Sequence, residues 1–104
     1  MRVISIRKLK QFWKEHPTST ASLRAWYTIV KRQEFESYQE IKAVFPSADR
    51  VEKFTIFDVG GNNFRIVAAV HYNRKKLYIR EVFTHSDYDK WNKSKKKRQQ
   101  LKIR

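Results

Sequence analysis

His85 follows Thr84 where an apolar strand-like segment ends, and Tyr88 lies three residues on. An imidazole acts as acid or base near neutral pH, and a phenol beside it orients it or stacks on a nucleobase. Arg65 and Arg80 fall inside segments rich in Phe, Ile, Val and Tyr, where arginine is a poor filler. Each is either a phosphate ligand or the partner of a neighbouring acid, Asp58 or Glu81. A guanidinium grips phosphate with two parallel hydrogen bonds and stabilises charge that builds up in a transition state. His71 is a second candidate acid–base group, and His16, just before Pro17, marks a helix end. The bland alternative for His85 is a capping histidine. The carboxylates do not cluster, there is no HExxH spacing, and there are no cysteines. No metal site and no cofactor are therefore expected, and thiol chemistry and a disulfide scaffold are excluded. If the chain is a nuclease, it is expected to work without metal.

Composition points to the same class of partner. The 104 residues carry 24 Lys and Arg against 10 Asp and Glu, a net charge of +14. A charge this large on one small domain points to a polyanion, with nucleic acid ahead of an anionic membrane or an acidic protein. Apolar residues make up 40 % of the chain, too many for a disordered basic peptide. The longest apolar run, Ile66 to Val70, is too short to cross a bilayer. No membrane role is expected, and the cytoplasm is the default compartment. Residues 90–104 hold 8 of the 24 basic groups and no acid, yet the first 89 residues still carry +6. The chain therefore reads as one domain over residues 1–91 and a basic tail over 92–104, frayed or weakly helical because like charges repel. Its length allows one core and no second.

The first half has helical spacing. Val3-Ile4 opens as a short strand. Ser5 is the expected N-cap of a helix carrying Ile6, Leu9, Phe12 and Trp13, which Pro17 closes. Leu23, Trp26, Tyr27 and Val30 form the stripe of a second helix. Ser37 and Glu40 have capping-box spacing ahead of Ile41, Val44 and Phe45, and Pro46 ends that helix. Trp13, Trp26 and Tyr27 read as core, and Trp91 as either core or stacking surface.

Residues 54–59, 63–72 and 76–83 read as three antiparallel strands, joined by turns at Gly60-Gly61-Asn62 and Asn73-Arg74-Lys75. The order predicts an α+β domain, with N-terminal helices packed on one face of a small, mainly antiparallel sheet. Alternation puts Phe64, Ile66, Ala68 and Val70 toward the helices, with Leu77, Ile79 and Phe83 on one side of the last strand together with Glu81. Arg65, His71, Tyr78 and Arg80 then lie on the opposite face, expected to be uncovered. Lys53, His71, Tyr78, Lys90 and Lys93 are the expected RNA contacts around the catalytic candidates Arg65, Arg80, His85 and Tyr88.

These residues carry a family resemblance. Leu23-Arg24-Ala25-Trp26-Tyr27, Ile41 through Asp49, Phe57 through Val67, Tyr78-Ile79-Arg80, and Thr84-His85-Ser86-Asp87-Tyr88-Asp89-Lys90 together resemble the HigB toxins of bacterial toxin–antitoxin systems. These are mRNA interferases of the RelE/ParE superfamily. The resemblance covers most of residues 1–91. It implies a RelE/ParE-like fold and a ribosome-dependent endoribonuclease that cuts translated mRNA. It also implies a HigA-type antitoxin with a helix-turn-helix domain, and contact with operator DNA only through the antitoxin complex. By that resemblance Arg65 and Arg80 match the superfamily's basic sheet residues and His85 its C-terminal histidine. Two other readings stand beside it: a ParE-like gyrase poison that is not an enzyme, and a generic RNA- or ribosome-binding module.

Overall fold

A computed structural model describes residues 1–103, with side chains to residue 94. The backbone of the basic tail is helical to Ile103, while its side chains from residue 95 lie outside the described residues. In chain order the elements are β1 (Arg2–Ile4), α1 (Ile6–Glu15), a 3₁₀ turn (Pro17–Ser19), α2 (Thr20–Arg32), α3 (Tyr38–Val44), β2 (Asp49–Val51), β3 (Phe54–Val59), β4 (Phe64–His71), β5 (Lys76–Thr84) and α4 (His85–Ile103). The five strands form one sheet in the order β1-β5-β4-β3-β2, in which β1 runs parallel to β5 and every other pair is antiparallel. This is an α+β fold with an open sheet. Among the described residues no helix is long and apolar enough to cross a membrane.

The main core lies between the sheet and helices α1 to α3. Leu9 of α1, Leu23, Trp26 and Val30 of α2, and Ile41 of α3 bury against Phe57, Ile66, Ala68, Leu77 and Ile79. Phe57 anchors it, with the rings of Trp26 and Phe45 packed edge-on at 5.2 Å each. The caps divide. Ser37 accepts from the Glu40 amide at 3.4 Å, and the Glu40 carboxylate accepts from the Glu36 amide at 3.1 Å, so the predicted capping box forms with its return bond one residue early. Ser5 occupies the cap position of α1 but makes no side-chain cap bond. Its left-handed backbone, φ 71°, departs from the extended conformation that turns a cap hydroxyl toward the first-turn amides.

The β3–β4 turn depends on its glycines. Gly60, Gly61 and Asn62 all have positive φ, at 66°, 60° and 79°. A Cβ on Gly60 would meet the Phe64 ring at 2.9 Å, whereas one on Gly61 would meet nothing. Strand β2 is an addition to the expected meander, too short at three residues to show alternation.

The predicted faces of β5 hold only up to Arg80. Val67 pairs with Glu81 and Ala68 with Ile79, so Arg80 is the extra residue of a β-bulge. Beyond it the alternation inverts. Val82 packs on the main core, and Phe83 crosses to the other face instead of joining Leu77 and Ile79. The other face is not uncovered either. Helix α4 lies on it and buries Tyr88 with Ile56 and Val67, ringed by Val51, Phe54, Phe83 and Trp91. The expectation of a single core missed this small satellite, which exists because the bulge delivers Phe83 to α4.

Candidate active site

The bulged strand, the β3–β4 turn and the start of α4 meet at His85. The Thr84 hydroxyl accepts from the Asp87 amide at 3.3 Å and so caps α4. Capping therefore falls to Thr84, and the His85 side chain is not used for it. The His85 backbone amide donates to Asn63 O at 2.9 Å, tying the helix start to the turn. Its imidazole is held from both sides. Nδ1 lies 3.1 Å from an Arg65 guanidinium nitrogen, and Nε2 lies 3.3 Å from an Asp89 carboxylate oxygen. A guanidinium can only donate, so Nδ1 accepts and the ring proton of the neutral imidazole sits on Nε2, facing Asp89. The His85 side chain is 55 % exposed, so this proton is within reach of a ligand.

Arg65 is the opposite case: its side chain is 10 % exposed. It donates to Asn62 O at 2.9 Å, Phe64 O at 3.1 Å and Asn62 Oδ1 at 3.2 Å, besides His85, and ion-pairs with Asp58, its direct cross-strand neighbour. Both terminal nitrogens are thus engaged within the protein, which leaves little of the guanidinium for an incoming phosphate. The group also sits 5.6 Å over the Tyr88 ring. Tyr88 is 7 % exposed, and burial and the Asp49 charge push its phenol above the ordinary tyrosine value against the opposing pull of Arg65. Ser47, Asp49, Ile56, Asp58, Arg65, Tyr88 and Asn92 line a cleft of about 190 Å³ here. Tyr88 therefore supports Arg65 from beneath while His85 is presented to solvent.

Arg80 belongs to a second group. At the bulge its carbonyl accepts from Lys8 Nζ at 2.6 Å, which fixes the backbone. Its exposed guanidinium sits 5.7 Å over the Tyr78 ring, and Tyr78 meets His71 edge-on at 5.1 Å. From Arg80 to Thr84 the strand advances about 13 Å, so Arg80, Tyr78 and His71 do not join His85. Lys53 lies on the β2–β3 turn with its ammonium 5.6 Å over Phe54, and Lys90 and Lys93 are exposed on α4. The face thus holds an imidazole with its supporting pair at one end and a basic, aromatic strip toward the other. Among the described residues no group of three His, Asp or Glu side chains could hold a metal ion.

Sequence reasoning passed over Asn62 and Asp89. Asn62 reads as a turn residue, and only its position three before Arg65 hints at the bond. Asp89 was legible as the i+4 partner of His85 once residue 85 is known to start a helix.

A family model described as the RelE-like toxic component of a toxin–antitoxin system matches residues 19–91. The chain is 38 % identical over 92 residues to the mRNA interferase toxin HigB of Escherichia coli strain K-12, covering 86 % of this chain and 88 % of that protein. The mRNA interferase HigB of Shigella flexneri matches to the same extent. The mRNA interferase HigB of Escherichia coli O6:H1 is 28 % identical over 93 residues, with 86 % and 90 % of the two chains covered.

Proposed function

This chain belongs to the family of RelE-like HigB toxins, the toxic components of toxin–antitoxin systems, and from that premise we propose that it is an endoribonuclease that cuts mRNA engaged on the ribosome. The observation that carries the reading is the half-exposed His85, fixed between Arg65 and Asp89 on a basic sheet face. In the reaction the 2′-oxygen bonds to the adjacent phosphorus, the bond to the 5′-oxygen breaks, and a cyclic phosphate and a 5′-hydroxyl result. The 2′-hydroxyl gives up its proton, and the departing 5′-oxygen takes one. As general acid His85 acts in its imidazolium form: it gives a ring proton to the departing 5′-oxygen and is left neutral, with the Asp89 carboxylate beside Nε2 offsetting its charge. Arg65 and Tyr88 act through His85, by fixing the position of its ring above the sheet. Arg80 and Tyr78 hold the message a nucleotide or more away. Much of the remaining rate comes from the ribosome, which presents the mRNA in a reactive geometry.

A toxin of this kind has an antitoxin partner. We take it to be of the HigA type, with a helix-turn-helix domain, covering the basic face and carrying the complex to operator DNA. Residues 1–91 act as the toxin domain and 92–104 as its basic tail, and the protein works in the cytoplasm beside the ribosome. The test is expression of the toxin without antitoxin, with mRNA ends mapped and a DNA-damage reporter run in parallel. Growth arrest with new ends inside translated frames and a silent reporter is expected. Arrest with intact mRNA and an induced reporter would replace this reading with gyrase poisoning, and RNA binding without arrest would reduce it to a binding module.

A further inference from the structure

The end of the sheet far from His85 carries charge that the cleavage site does not use. Arg2 of β1 pairs in register with Lys76 of β5, and Lys76 pairs with His71 of β4. Residues paired across a sheet project from the same face, so the three side chains form one row across three strands. The face is the one that carries His85, because Tyr78 and Arg80 lie on it, while Val3 and Leu77, one residue along, pack into the main core on the other side. Arg2 and His71 are exposed and Lys76 is half-buried. No ion pair joins any of the three to a carboxylate among the described residues. Lys75, the neighbour of Lys76, is by contrast neutralised by Glu36 at 2.7 Å and bonded to Phe35 O. Two permanent cations and an imidazole are therefore left unpaired in a line.

We propose that Arg2, Lys76 and His71 form a phosphate-binding subsite for single-stranded RNA, the far anchor of the message that is cut at His85. The inference rests on the reading that RNA is the substrate. The row lies roughly 25 Å from Thr84 along β5, at a rise of about 3.3 Å per residue. Between the two ends stand Tyr78, whose ring is flanked by His71 and Arg80, and the Arg80 guanidinium itself. Stacking surfaces alternating with cations are what a single strand needs, because every base offers a π-face and every linkage a charge. One carboxylate lies on this path: Glu81, paired across from Val67. It falls between Arg80 and Phe83, where it separates the binding strip from the cleavage end. The row crosses β1, β5 and β4 at one end of β5, which fits an RNA anchored there and running along β5 toward His85.

The test uses the full chain and a fluorescein-labelled ten-uridine RNA, titrated by anisotropy from about 50 to 200 mM KCl. Each neutralised phosphate of a single strand contributes about 0.7 to the slope of log affinity against log salt. The double variant Arg2→Ala/Lys76→Ala should lower that slope by about 1.4 and weaken binding about 25-fold at 0.1 M salt. Arg2→Lys/Lys76→Arg should bind like wild type. Lys10→Ala/Lys14→Ala, on α1 across the sheet, removes the same charge and should leave the slope unchanged. Equal losses from both alanine pairs would show that binding follows net charge, and an unchanged slope in the row variant would show that the row serves another partner, such as an acidic protein segment. Either result overturns the proposal. Loss of cleavage by wild-type protein on programmed ribosomes would instead remove the underlying reading, and the two failures are read in separate assays.

Discussion

Replacing Arg65 by Met should cost both stability and activity, for reasons that can be separated. The methionine side chain fills a similar volume but donates nothing. Asp58, with 22 % of its side chain exposed, loses its cross-strand cation, and the carbonyls of Asn62 and Phe64 lose donors. Removing one partner of a buried pair costs about 3–5 kcal/mol, and the partial exposure of Asp58 places this case toward ~3 kcal/mol. That is a large share of the ~5–15 kcal/mol that holds a domain of this size together. At about 4–8 °C per kcal/mol, the melting temperature should fall by at least ~12 °C. Arg65→Lys retains the charge opposite Asp58 but has a single nitrogen, which cannot also serve the turn and His85. It should recover much of the stability while cleavage stays low. In Asp58→Asn/Arg65→Met the orphaned charge is gone, so the double variant should be more stable than the sum of the two single losses. Urea denaturation of wild type, Arg65→Met, Arg65→Lys, Asp58→Asn and the double variant, with single-turnover cleavage at a temperature where all are folded, measures each term. An Arg65→Met protein within about 3 °C of wild type would refute the claim that this guanidinium organises the site.

Three further outcomes follow from the same geometry. Gly60→Ala should destabilise more than Gly61→Ala in urea denaturation: both suffer left-handed strain of about 1–2 kcal/mol, but only the Gly60 Cβ collides with the Phe64 ring. The Tyr88 phenol is raised by burial, so the unfolded chain ionises first. The stability this group contributes is complete below about pH 10 and declines above it, by up to ~1.4 kcal/mol per pH unit. Tyr88→Phe should show a shallower alkaline loss in melting scans, with Tyr72, also raised by burial, supplying the remainder. Deleting residues 95–104 should reduce the salt slope of nonspecific RNA binding and leave the single-turnover cleavage rate unchanged.

How far the sequence could be read depends on which interactions were local. Helices α1 to α3 follow from spacing and turn residues, and the two hairpins from Gly60-Gly61-Asn62 and Asn73-Arg74-Lys75, because those signals lie within a few residues of one another. The apolar face of β4 was legible for the same reason. The bulge at Arg80 was not. It arises from the register between two strands and a lysine contributed by α1, and no pattern within β5 announces it. Its consequence for Phe83 hid the second face's helix cover as well. At the site, His85, Tyr88, Arg65 and Arg80 stood out by residue type, and the structure gathers three of them while leaving Arg80 at the bulge. Whether Arg65 meets a phosphate or Asp58 was an open choice in the sequence. In the structure Arg65 stands directly across from Asp58 and ion-pairs with it, a contact set by strand register and not by local pattern.

The most direct measurement is single-turnover cleavage of mRNA on programmed ribosomes by wild type, His85→Ala and Arg80→Ala, with a melting temperature for each. His85→Ala should remain folded and lose about 10²–10⁴-fold in rate at saturating protein, the contribution of a general acid. Arg80→Ala should need more protein to reach half-maximal rate and lose less at saturation, because its guanidinium lies along the strand from the reacting bond. A folded His85→Ala protein that cleaves at the wild-type rate would contradict the account.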